Sequence, residues 1–284
     1  YSAVMLAALG ILLAAQRRDR LCVRAWVGCA LAVGISLGLY LWSNSYAVYV
    51  HRGAVENGNL LAELFRDPAF FVRFLLKAFA SAAVGLSQLQ QLEQAAGPAG
   101  RAAVYLLGAA VIAMYLWALY LNVRCRLYQK SILPLLLIVN GGFNHLLILM
   151  SRWIFLSDEY GMSSRYEIQY QLGILGILMT FALIWAGKKE NAQEKEARQP
   201  GACARWLALF CSLCILAGNL WTTGAEIQTA PFRKAYLAIS RDLGLNYRTA
   251  SDEDLELYLH SGADEIRSAM EILEENKLNI FREK

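Results

Sequence analysis

Charge is what this chain has least of. Only 18% of its 284 residues are Asp, Glu, Lys or Arg, while 57% are hydrophobic. A soluble domain of this size has too little interior to hide that much apolar surface. The net charge of +4 is too small to single out a polyanionic partner, and no nucleic acid is expected. Also missing are a Gly-rich phosphate loop, a His-Glu-x-x-His zinc motif, a Gly-x-Ser-x-Gly nucleophile elbow and an EF-hand loop. There is no internal repeat. The six cysteines, Cys22, Cys29, Cys125, Cys203, Cys211 and Cys214, all fall in apolar runs or basic loops, so they form no disulfide framework. Cys211 and Cys214 make a Cys-x-x-Cys inside an apolar run, without a His or a second pair, which reads as packing.

What is present is a series of long apolar runs, and that pattern marks membrane-spanning helices. The expected fold class is all-α, a polytopic transmembrane helical bundle. Its spans fall at about 1–16, 23–43, 102–121, 132–151, 168–186 and 204–222. Tyr1 to Ala15 is apolar and Arg17, Arg18 and Arg20 follow it, the reverse of a secretory signal. The run therefore reads as the end of a spanning helix in a chain cut from a longer protein. Three loops are rich in Lys and Arg: 17–20, 124–130 and 187–205. If all three are cytoplasmic, an even number of crossings must separate them. The apolar stretch 69–87 then cannot cross, and it carries Arg73 and Lys77, which are costly at a bilayer centre. It reads as an interfacial or re-entrant helix, with Phe70, Phe71, Phe74, Leu75 and Phe79 in lipid.

This topology gives a transmembrane domain, 1–222, with a long outer loop at 44–101 and a short one at 152–167. A helical tail, 223–284, follows on the outer (periplasmic) face of a bacterial inner membrane. Asp67-Pro68 reads as a helix start, N-cap then first turn. Ser251, with Asp254 three residues on, reads as another.

The short outer loop carries the candidate chemistry. Arg152 and Arg165 flank it at headgroup level, and guanidinium is suited to bidentate phosphate recognition. Asp158 and Glu159 lie between them as a candidate general base or a pair of acceptors for sugar hydroxyls. Tyr166 stands beside Arg165. In the preceding span, Asn140-Gly141-Gly142-Phe143-Asn144-His145 puts polar groups inside the membrane, where they are costly unless partnered. Asn144 and His145 are candidates for the floor of a cavity open to the outer loop; helix–helix hydrogen bonding is the plainer alternative. A lone His is not a metal site, and no cofactor is expected apart from a divalent metal, which the sequence leaves open.

The outline Arg152…Tyr160-Gly161…Ser164-Arg165-Tyr166, with Asp67-Pro68 before an apolar half-span and Leu278-Asn279-Ile280-Phe281 near the end, resembles the late portion of a group of bacterial polytopic membrane proteins. In architecture this group is similar to GT-C-type glycosyltransferases and other handlers of lipid-linked sugars. The resemblance implies a membrane protein of envelope glycan assembly that uses a polyprenyl-phosphate-linked sugar, with membrane lipid and lipid-linked sugar as partners. A transporter or flippase subunit for the same lipids, or a non-catalytic scaffold, are the alternatives. GT-C enzymes usually hold their catalytic acid in the first outer loop, which precedes the part this chain resembles.

Overall fold

The computed structural model describes residues 20–45, 60–186 and 201–282. These form α-helices and short 3-10 turns, with no strand among the described residues. Four helical stretches are long and apolar enough to cross a bilayer: Leu86–Arg124, Leu133–Phe155, Ser164–Ala186 and Ala202–Leu245. That is the architecture of a multi-pass membrane protein. The expected span 1–16 lies outside the described residues. The expected span 23–43 forms helix α1 (Arg20–Ser45), whose apolar piece, Trp26–Ser36, is shorter than those four.

Helices α2 (Leu60–Arg66) and α3 (Pro68–Ser81) come before the bundle. Asp67 caps α3 by accepting a hydrogen bond from the Phe70 amide at 3.0 Å, and Pro68 fills the first turn, where no N–H is needed. Both features follow the sequence expectation. The aromatic face of α3 does not. Phe70, Phe71 and Phe74 are buried within the protein, Phe74 completely. They pack on helix α4 (Leu86–Arg124) and on the 3-10 turn Asp158–Met162, so lipid is not their environment. The cause is close backbone approach. A Cβ at Gly161 would stand 2.8 Å from the Phe74 carbonyl oxygen, and one at Gly108 would collide with the Leu76 carbonyl. Glycines at both contacts let α3 sink between its neighbours.

α4 is two helices joined at a kink. Gly97 sits at φ 56°, ψ −125°, a conformation open to glycine, and Pro98 restarts the helix without needing an amide partner. The apolar run that follows the kink is the expected span at 102–121.

Helices α5 (Leu133–Arg152) and α6 (Glu167–Ala186) form the tightest pair. Gly141 and Gly173 face each other so closely that a Cβ on either would strike the other helix or the Tyr115 side chain. Gly176 sits against Pro134 and Ile138 in the same way. Small residues bring two helices to van der Waals range where no hydrophobic effect drives association. A buried hydrogen bond ties α4 to α6: Asn122 Nδ2 donates to Thr180 Oγ1 at 2.8 Å, and both residues are fully buried.

Helix α7 (Ala202–Leu245) contains the boundary between two compact units, which falls after Leu220. The second unit, 221–284, adds α8 (Asp252–Leu259) and α9 (Ala263–Glu275). Ser251 caps α8 through the Asp254 amide, as its sequence indicates. Tyr247, Leu255, Ala263, Ile266 and Phe281 form this unit's own small core.

Candidate functional site

Helix α3 carries two cations, Arg73 and Lys77, in an otherwise apolar run. Both project from α3 into a polar cavity of about 470 Å³. Its other lining residues are Gln90, Glu93 and Gln94 from α4 before the kink, Arg101 and Tyr105 just after it, and Asp158 and Glu159 from the 3-10 turn between α5 and α6. The cavity thus lies where α4 begins its apolar run, α5 has ended and α6 has yet to start. Two loops far apart in sequence meet at this one end of the bundle.

Lys77 is the most buried member, with only 4% of its surface exposed. Its Nζ lies 3.0 Å from Asp158 Oδ1 and 3.3 Å from both carboxylate oxygens of Glu93. Burial alone would push the ammonium pKa down. The hydrogen bond and charge of Asp158, joined by those of Glu93, outweigh burial and hold it above its ordinary value. Arg73 reaches Asp67 at 3.3 Å and Asp158 at 3.7 Å. Asp158 is therefore engaged by two cations. Glu159 is exposed and accepts only a long hydrogen bond from Gln90, at 3.5 Å. It is the carboxylate of the pair with open lone pairs.

The other sequence candidates lie apart from this cavity's lining. Arg152 donates from Nε to the Tyr166 hydroxyl at 2.5 Å, and its guanidinium lies 5.8 Å from the ring centroids of both Phe155 and Tyr166. That is an aromatic cradle that pins the loop. Arg165 is exposed. Asn144 and His145 are buried in the bundle. The His145 ring is stacked between Phe79 at 3.8 Å and Tyr170 at 3.9 Å, and its Nδ1 bonds the Gly141 carbonyl at 2.8 Å. Its Nε2 has no hydrogen-bond partner among the described residues. Tyr170 in turn donates to the Gly161 carbonyl at 3.0 Å, which ties this aromatic stack to the Asp158 turn from beneath.

Sequence reasoning brought out Asp158 and Glu159 and missed Glu93, Arg101 and Tyr105. The signal for Lys77 and Arg73 is their cost inside an apolar run, which argues against a crossing and equally marks two cations in need of carboxylates. No group of His, Cys, Asp and Glu suited to a metal ion occurs among the described residues. No family model, curated protein or solved structure matches this chain.

Proposed function

We propose that this chain is an integral membrane protein of cell-envelope glycan assembly, which binds a sugar carried on polyprenyl phosphate at the charged cavity and transfers or polymerises it. In this reading the chain makes six crossings, the basic loops are cytoplasmic, and the cavity and C-terminal segment face the outer side of a bacterial inner membrane. The observation that carries it is the meeting of Asp158 and Glu159 with Arg73, Lys77 and Arg101 in one cavity at the end of an apolar bundle. A ligand with a lipid tail and a polar head needs that combination: apolar helices beside a pocket of fixed hydrogen-bonding charges. In the transfer the acceptor hydroxyl bonds to the anomeric carbon as that carbon's bond to the phosphate oxygen breaks and polyprenyl phosphate leaves. Glu159, the less engaged carboxylate, accepts the hydroxyl proton, while Asp158, fixed by Lys77 and Arg73, holds sugar hydroxyls. The phosphate falls to Arg101, because Arg73 is held by Asp67 and Asp158.

Buried Asn140 Oδ1 and Asn144 Nδ2 have no hydrogen-bond partner among the described residues, and this favours the transporter as the second reading. Mass spectrometry of lipid extracts tests the first. Cells with Glu159→Gln, at normal protein level, accumulate an unused polyprenyl-phosphate sugar, and the purified wild-type protein consumes that lipid. Unchanged lipid-linked sugars reject the proposal; accumulation without consumption by purified protein favours transport.

A further inference from the structure

The cavity's charges divide into a closed set and an open one. Lys77, Arg73, Glu93 and Asp158 satisfy one another through contacts of 3.0 to 3.7 Å. Arg101 and Glu159 line the same cavity from exposed positions, and neither has an ion-pair partner among the described residues. The lining is formally neutral, with three cations (Arg73, Lys77, Arg101) and three carboxylates (Glu93, Asp158, Glu159). A purely anionic ligand would gain from Arg101 and be repelled by Glu159. A neutral sugar would leave both unmatched. A head that carries one charge of each sign answers both.

Resting on the reading of this cavity as a lipid-linked sugar site, we propose that its ligand is a phosphate-linked amino sugar with a free amine, the phosphate pairing with Arg101 and the ammonium with Glu159. Guanidinium grips phosphate through parallel hydrogen bonds, and the carboxylate of Glu159 has lone pairs left for an ammonium. Gln90, Gln94 and Tyr105 line the same cavity and supply the neutral donors and acceptors a sugar ring needs. The closed set beneath keeps its own ion pairs and fixes the depth to which the head enters.

The test is a binding measurement on the purified full chain in detergent at about pH 6, below the pKa of such an amine. The probes are glucosamine 1-phosphate, glucose 1-phosphate, inorganic phosphate and the decyl phosphodiester of glucosamine. Glucosamine 1-phosphate should bind about three- to five-fold more tightly than glucose 1-phosphate, the size of an exposed ion pair. Glu159→Gln should erase that ratio. Arg101→Gln should weaken both about ten-fold. The decyl diester should bind more tightly than the free sugar phosphate if the ligand is lipid-borne; the reverse order would assign the site to a soluble sugar phosphate and overturn the lipid part. Equal binding of the two sugar phosphates would overturn the amine while leaving the sugar-phosphate reading intact. Binding of neither above inorganic phosphate would overturn both.

Discussion

Replacing Lys77 with Met removes the one cation shared by Glu93 and Asp158. At contacts of 3.0 and 3.3 Å, each carboxylate gains about 5 kcal/mol of gross attraction in a medium of effective dielectric near 20. Much of that is offset by the desolvation of the charges. Breaking a buried pair from one side costs about 3–5 kcal/mol, because the partner is left uncompensated. Here the Glu93 and Asp158 side chains keep 14% and 20% of their exposure, and Arg73 remains beside Asp158. The loss should therefore be about 2–4 kcal/mol. For a chain of this size that lowers the thermal midpoint by roughly 3–7 °C. The assay is loss of monodisperse protein on heating in detergent, followed by size-exclusion chromatography. Neutralising both acids in the same protein, Lys77→Met with Glu93→Gln and Asp158→Asn, should recover more than half of the loss. The pH dependence has a definite sign. The folded pKa of Lys77 is raised, so its contribution is complete below the unfolded value of about 10.4 and fades as pH rises through the folded value. The gap between wild type and Lys77→Met should thus stay open at neutral pH and close only in strong alkali. A Lys77→Met variant as stable as wild type, or a triple variant no better than the single one, would refute the reasoning.

Gly173→Ala should cost about 1–3 kcal/mol by overpacking, since its Cβ would collide with the Tyr115 hydroxyl between α4, α5 and α6; an unchanged melting midpoint would show that Tyr115 can move aside. Single cysteines at Ala62, Gln94 and Ser157 should react with an impermeant maleimide from one side of the membrane and a cysteine at Gln129 only from the other, because the first three flank or line the cavity end while residue 129 lies in the turn between α4 and α5. Opposite accessibility of Ala62 and Gln94 would mean that α3 crosses.

The helices were legible because their signals are local. Asp67-Pro68 and Ser251 announce helix starts through the chemistry of one turn, and the apolar runs that become α5 and α6 need only their own length. The direction α3 faces was not legible. Phe70, Phe71 and Phe74 fit lipid or a protein groove equally well by composition, and the groove exists only because Gly108 and Gly161 let the backbones close on it. The site was half legible for the same reason. Asp158 and Glu159 stand out as acids between apolar runs. Their partner Lys77 is 81 residues from Asp158, and Glu93 and Arg101 sit on either side of a kink set by Gly97. Pairings of that kind depend on tertiary packing, which no spacing rule encodes. Arg152 lies outside the lining of this cavity: its Nε donates to the Tyr166 hydroxyl and its guanidinium lies by the Phe155 and Tyr166 rings, contacts that its place in the sequence does not announce.

The central claim is that the cavity between the two loops receives the polar head of a lipid-linked sugar. Photolabelling tests it most directly, using a short polyprenyl phosphodiester of glucosamine that bears a diazirine on the sugar, followed by peptide mapping. The account predicts adducts on the segments 90–105 and 157–160, lost when unlabelled diester is added in excess and lost in the Arg101→Gln variant. Competable adducts on other helices with none on these two segments would contradict it.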